Sequence, residues 1–287
     1  MEGISICPKL ATALAVLPLL GVLAGCGALD ALNLRRPSAR IAGVRLQDIN
    51  LSSAMLLFDV EVENPYSVPL PLVNIDYGLA SGGAQFLSGK ADMQGTVPAQ
   101  GKKTVSLPAR IVYLELLKAL EGIPLGSVVP YRADLGLSVD APVVGVLRLP
   151  LHKEGQLPVP AVPDVKVEQI KWDRLTLARA RGVVTLSVTN RNEFPLHMRK
   201  LTFALSLGGT RVGSSAVAEA VSLDAAGGAG TLEIPISLSP RSLGSAVFKM
   251  LAGRGSDYRL TGDLEVNTPF GPMSIPINKL GKTVFRK

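Results

Sequence analysis

The residues of this chain whose types could do chemistry are few: two cysteines, Cys7 and Cys26, two histidines, His152 and His197, and one alternating run of carboxylates, Asp59, Glu61 and Glu63. On an extended strand those carboxylates would stand about 6 to 7 Å apart along one face, a spacing that could hold a hard cation such as Ca²⁺ if a loop added oxygen ligands. No such loop is evident, and a solvated charged face is the simpler account. His197 could act as a base for Ser187 or Ser206, yet no Gly-x-Ser-x-Gly turn accompanies it, and a plain surface histidine is the simpler reading. His152 fares no better. With both cysteines in the first 26 residues, the rest of the chain lacks the ligands of a Cys/His zinc site. No metal, cofactor or catalytic residue is expected, and the chain reads as non-enzymatic.

The glycine-rich stretches Ser81-Gly82-Gly83 and Gly227-Gly228-Ala229-Gly230 lack the Gly-Lys-Ser/Thr ending of a phosphate-cradling loop and read as turns. Trp172, with Ile170, reads as core rather than as a platform for bases. Arg174, Arg179 and Arg181 read as a basic patch or, more simply, as a solvated edge that discourages strand pairing. The net charge of +7 and the pI near 9.5 come from scattered Lys and Arg, so no nucleic acid partner is expected.

The cysteine at position 26 is different. Lys9 precedes an apolar segment, residues 10–23, too short to span a bilayer comfortably. Leu23-Ala24-Gly25-Cys26 then resembles the bacterial lipobox, in which small residues admit a peptidase to the bond before a lipidated cysteine. The resemblance implies a cleaved signal peptide over residues 1–25, an acylated Cys26, and a lipid-proximal linker over 26–40. Each buried CH₂ contributes about 0.8 kcal/mol, so several acyl chains in membrane lipid make a lasting anchor. Gly27, rather than Asp, follows the cysteine. Under the sorting rule of enteric bacteria that resembles an outer-membrane address facing the periplasm. Arg35-Arg36-Pro37 could lie near lipid phosphates or form an ordinary solvated linker.

The elements that position the remaining residues follow from an internal repeat. Asn64-Pro65-Tyr66-Ser67-Val68-Pro69-Leu70 recurs as Asn190-Arg191-Asn192-Glu193-Phe194-Pro195-Leu196, an offset of 190 − 64 = 126. Leu79 maps to Leu205, Gly101 to Gly227 and, after one inserted residue, Tyr131 to Tyr258, Val139 to Val266 and Pro142 to Pro269. Before each shared Asn the pattern alternates: Phe58, Val60 and Val62 in copy one, Val184, Leu186 and Val188 in copy two, as half-buried strands require. Further strands are predicted over 41–46, 73–79, 103–107, 131–139 and 143–151. Val112, Leu116, Leu117 and Leu120 fit a helical stripe over 111–121, whose counterpart starts at Ser239-Pro240. Gly155, Pro158, Pro160 and Pro163 predict a linker over 156–163, with a break near Pro160. The chain thus divides into modules over 41–155 and 164–287, mainly β, each an antiparallel β-sandwich with one short helix.

The strand ending in Asn64-Pro65-Tyr66, the following Val68-Pro69-Leu70, the loop Val97-Pro98-Ala99-Gln100-Gly101 and the helical segment after it resemble the late embryogenesis abundant type 2 family, also called the water-stress and hypersensitive-response domain. The family's Asn-Pro-Asn element is incomplete in both copies: Asn64-Pro65 ends in Tyr66, and Asn190 and Asn192 flank Arg191. The resemblance implies a fibronectin-III-like sandwich, structural roles for Asn64, Pro65, Pro69, Asn190, Asn192 and Pro195, and a link to desiccation and osmotic stress. It implies no catalytic residue. The expected function is a tethered protective or binding protein of the cell envelope. An alternative is an accessory for envelope assembly or transport that takes a protein or lipid partner through an edge strand or an apolar groove, for which the apolar run 68–73 is a candidate surface.

Overall fold

In β2 (Ser53–Glu63) the alternation translates directly into burial: Phe58, Val60 and Val62 are wholly inside, while Asp59 and Glu61 are partly buried and Glu63 is exposed on the other face. β2 is the centre of a three-stranded sheet with β1 (Ser38–Gln47) and β6 (Lys102–Val112). Against it packs a second sheet in the order β4 (Ala84–Asp92), β3 (Leu70–Ser81), β7 (Val128–Ala141), β8 (Gly145–Pro158), with β5 (Thr96–Val97) beside the start of β3. Leu135, Leu137 and Val139 of β7 are buried in the same core as Phe58 and Val60.

The second sandwich repeats this. β10 (Ala180–Thr189) lies between β9 (Asp164–Leu175) and β14 (Ala229–Leu238). Facing it are β12 (Thr210–Val217), β11 (Leu196–Leu207), β15 (Ser256–Thr268) and β16 (Gly271–Thr283), with β13 (Ser222–Leu223) on β11. All these pairings are antiparallel. These are tandem β-sandwiches. The computed structural model describes residues 35–175, 180–217, 221–238 and 255–283, and the described residues from 37 onward form one compact body.

Four particulars differ from expectation. The helix α1 is shorter, Tyr113–Ala119, because β6 keeps pairing with β2 as far as Val112 opposite Ser53. Its counterpart after Ser239-Pro240 lies outside the described residues. Strands β4 and β5 lie outside the predicted strands, since Ala84–Asp92 mixes small, polar and apolar residues at a sheet edge and Thr96–Val97 is only two residues long. The predicted linker begins late: β8 runs through Gly155 to Pro158, which pairs with Val128, so only residues 159–163 join the sandwiches. Pro158 closes that strand at its end, where a missing N–H is tolerated.

The pairing register also shows where the copies differ in length. Glu63 pairs Lys102 but Thr189 pairs Ala229, so the inserted residue falls in the loop just before β14. The Asn64 N–H bonds Gly101 O and the Asn190 N–H bonds Gly228 O, making Gly228, not Gly227, the counterpart of Gly101. The extra residue is recovered at the last hairpin: Ala141 and Gly145 enclose three residues, Thr268 and Gly271 two. Tyrosine rings lie over cross-strand glycines in both copies, Tyr77 over Gly89, Tyr131 over Gly155 and Tyr258 over Gly281. A Cβ at Gly155 would stand 2.6 Å from the Tyr131 hydroxyl, so ring and glycine fit as a pair.

Candidate functional site at the asparagine turns

Each chain reversal after the long central strand is built around one buried asparagine. Asn64 donates from Nδ2 to the carbonyl oxygens of Val68 at 2.8 Å, Pro98 at 3.0 Å and Val97 at 3.2 Å, and its Oδ1 accepts from the Tyr66 N–H at 2.9 Å. Asn190 repeats the pattern: Nδ2 donates to Phe194 O at 2.8 Å and Asp224 O at 2.9 Å, and Oδ1 accepts from the Asn192 N–H at 2.9 Å. The side chain thereby ties the turn to the loop preceding β6 or β14, where backbone groups would otherwise be buried unpaired. In that facing loop Gln100 (φ 50°) and Ala226 (φ 53°) hold a positive φ. Their N–H groups bond Tyr66 O and Asn192 O respectively. Pro65, Pro69 and Pro195 occupy the same turns, with Pro69 exposed and Pro65 and Pro195 half-buried.

The copies part at the third motif position. Asn192 is fully buried, and its Oδ1 accepts from the Ala161 N–H at 2.7 Å while its Nδ2 donates to Ala161 O at 3.2 Å. It thus grips the connecting segment as a strand partner would. Glu193 adds two bonds across the junction, its N–H to Gly126 O at 2.7 Å and its Oε2 from the Val128 N–H at 2.9 Å. Gly126 (φ 97°) lies against Arg191 O, where a Cβ has no room. Burial opposes ionisation of Asp164, but the charges of Lys166, Lys279 and Arg191, at 3.5, 3.6 and 3.7 Å, outweigh it and hold its carboxyl below the usual range. The asparagine turn of the second sandwich is therefore a docking surface for the first. In copy one the equivalent residue is Tyr66, whose buried hydroxyl has no partner among the described residues.

The carboxylate run is occupied by cations of neighbouring strands. Asp59 takes both arms of the Arg45 guanidinium at 3.0 and 3.1 Å and the Ser106 hydroxyl at 2.6 Å, and these bonds, Arg45 first, hold its carboxyl below the usual range. Glu61 takes both arms of Arg40 at 3.1 and 2.9 Å, and Glu63 pairs Lys102 at 3.3 Å. On the opposite sheet Arg148 reaches over Gly136 to Asp76 and depresses its pKa through the hydrogen bonds it donates. Among the described residues no group of three metal-binding side chains is found.

Nδ1 of His197 lies 3.0 Å from Oγ of Ser222, not of Ser187 or Ser206, because β13 pairs Ser222 directly with His197. Both groups are exposed. Trp172 is buried in the second core, its indole N–H without a partner among the described residues, and Arg181 is exposed. The side chains of Arg174 and Arg179 lie outside the described residues. Nor does the apolar run 68–73 form a groove: Leu70 and Leu72 face the core, and only Val68, Pro69 and Pro71 are exposed. Leu23, Ala24, Gly25 and Cys26 lie outside the described residues. Among the described residues no helix is long and apolar enough to cross a membrane.

Comparison with known proteins closes on one family. The pattern of the late embryogenesis abundant protein family (LEA_2) matches twice, at residues 59–155 and 185–281. The desiccation protectant protein Lea14 homolog of Glycine max is 31% identical over 133 residues, covering 46% of this chain and 88% of that protein. The late embryogenesis abundant protein Lea14-A of Gossypium hirsutum is 28% identical over the same length and coverage. The solution structure of AT1g01470 from Arabidopsis thaliana is 28% identical, covers 45% of this chain and 86% of that one, and superposes with a TM-score of 0.38. The chain belongs to the late embryogenesis abundant protein family, LEA_2, and carries the family's domain in tandem.

Proposed function

We propose that this chain is a non-enzymatic, lipid-anchored protein of a bacterial envelope whose tandem domains protect or bind envelope components during water loss. The likeness to a desiccation protectant over 88% of that protein's length is the observation that carries the stress-related role. The state of the reactive side chains supports a non-catalytic reading, since Asp59, Glu61 and Asp76 are each held by an arginine fork. Anchoring is read from Leu23-Ala24-Gly25-Cys26 alone, with the outer membrane facing the periplasm as the address that Gly27 favours. Deleting the gene and scoring survival after drying and after osmotic shock tests the role. Survival should fall and recover on complementation, and unchanged survival refutes the stress reading. Mass spectrometry of the mature N-terminus tests the anchor independently, with acylated Cys26 as the expected product.

A further inference from the structure

The repeat supplies a control for every surface of the molecule, and at the asparagine-turn end the two copies are in different situations. At this end of the second sandwich Phe194 is 3% exposed and packs edge-on against Phe270 of the last hairpin at 5.4 Å, and the first sandwich lies alongside: the Glu193 N–H bonds Gly126 O at 2.7 Å, and a Cβ added at Gly271 would stand 3.6 Å from Ile49. The positions equivalent to Phe194 and Phe270 in the first sandwich are Val68, four residues after Asn64, and Val143, the residue after Pro142. They remain apolar but are 46% and 87% exposed, and Val146, at the foot of the same hairpin, is 62% exposed. Val143 also holds φ at 72°, a conformation costly for a β-branched residue. Glycine or asparagine would relieve that strain, so the position retains an apolar side chain against local preference.

What meets this end is indicated by the chain itself. Ser38, the first residue of β1, pairs with Glu63, which places the entry of the chain beside the Asn64 turn. Cys26 lies twelve residues earlier, a reach of at most about 40 Å when extended. Arg35, Arg36, Arg40, Lys102 and Lys103 cluster in sequence or register around that entry, against Glu61, Glu63 and Asp140. We propose that the turn end of the first sandwich is a membrane-contact surface, in which the Val143 hairpin tip, with Val146 and Val68, dips into the interface of an anionic phospholipid bilayer. The inference rests on the lipid-tether reading, because the tether holds this end against lipid. The same end of the second sandwich instead meets the first sandwich, through Glu193 on Gly126 and Val128, so the two-domain body stands off the membrane with its first domain inward.

The test uses the full exported chain recovered from an enteric host, in which acylation consumes the Cys26 thiol and leaves a cysteine at Val143→Cys as the sole label site. A polarity-sensitive fluorophore there, and in a second variant at Val146→Cys, is exposed to phosphatidylethanolamine–phosphatidylglycerol vesicles carrying nitroxide lipid. The control label is Leu125→Cys, on the loop that approaches the second sandwich and 59% exposed. Quenching at 143 and 146 at least threefold above that at 125 is expected. Equal quenching at the three positions on a chain whose Cys26 is acylated overturns the contact surface while leaving the tether intact. An unacylated Cys26 overturns the tether, and quenching by added vesicles, measured on a chain that also carries Cys7→Ser and Cys26→Ser so that position 143 is the sole thiol, then still decides the surface. Protection of the 143 label that rises with protein concentration and ignores lipid would assign this end to a second copy of the chain and overturn the proposal.

Discussion

Replacing Asn64 by Asp keeps the shape of the side chain and removes both of its N–H donors. In the native turn Nδ2 serves Val68 O, Pro98 O and Val97 O at 2.8, 3.0 and 3.2 Å, within a site only 1% exposed. Losing two donated bonds at about 0.5–1.5 kcal/mol net each, and stranding a carboxylate among carbonyl oxygens, amounts to about 3–5 kcal/mol at pH 7. The loss depends on pH with a definite sign. Carbonyl oxygens disfavour the anion, so the introduced carboxyl has a folded-state pKa above its unfolded value of about 3.9. Below about pH 4 both states bind the proton and the ionisation part of the penalty vanishes; it grows as pH rises and is complete above the folded pKa. Denaturant titrations of Asn64→Asp and wild type at pH 4 and pH 7, with amide exchange of the first sandwich as the local probe, measure this difference. Asn190→Asp should repeat it in the second sandwich, where Trp172, the sole tryptophan, reports the transition by fluorescence. A loss under about 1 kcal/mol at pH 7, or one that does not shrink at pH 4, would refute the hub role of the asparagine.

Asn192→Ala deprives the Ala161 N–H and carbonyl of their partner, a loss of about 2–4 kcal/mol. Backbone ¹⁵N relaxation should then show the two sandwiches tumbling with separate correlation times, and a single shared time in the variant would speak against the grip. Asp59 and Asp76 have depressed pKa values, chiefly through the hydrogen bonds of Arg45 and Arg148. Their contribution is present above the unfolded carboxylate pKa of about 3.9 and disappears as pH falls below it. Asp76→Asn should therefore flatten the acid limb of a stability–pH curve, and an unchanged limb counts against the pair. Gly155→Ala drives a methyl into the Tyr131 ring and should lower the thermal midpoint by the equivalent of about 1–3 kcal/mol, as should Gly281→Ala beneath Tyr258. Differential scanning calorimetry on both variants checks the pair, and native-like midpoints would show that the ring can step aside.

The strands that carry the cores were legible because burial on one face imposes a period of two, as at Phe58, Val60 and Val62 and again at Val184, Leu186 and Val188. The shared asparagines stand out between the copies for the same reason: a buried side chain that bonds the backbone of a neighbouring loop is constrained wherever the fold recurs. Strand β4 is not legible in the sequence because an edge strand with Gly89 and Lys90 has no continuous inward stripe. Residue types alone end the first sandwich too early, since Gly155 reads as a turn when its role is to admit Tyr131. The grip of Asn192 on Ala161, 31 residues away, and the arginine forks over the carboxylates join residues whose types were visible but whose partners only the sheet register supplies.

The arginine forks on the first sandwich have a consequence for a domain that meets drying. Hydrophobic cohesion exists only while water surrounds the protein, so it fades as the solvent is withdrawn. Coulomb attraction scales inversely with the local dielectric constant, and lowering that constant from about 80 to about 20 strengthens a fixed pair about fourfold. The couples Arg45–Asp59, Arg40–Glu61 and Arg148–Asp76, set across adjacent or next-adjacent strands on solvent-facing sides of the sheets, therefore tighten as hydration falls. A sandwich laced in this way exchanges one source of cohesion for another across the dry state, and keeps its strand register when the water that shaped it has gone.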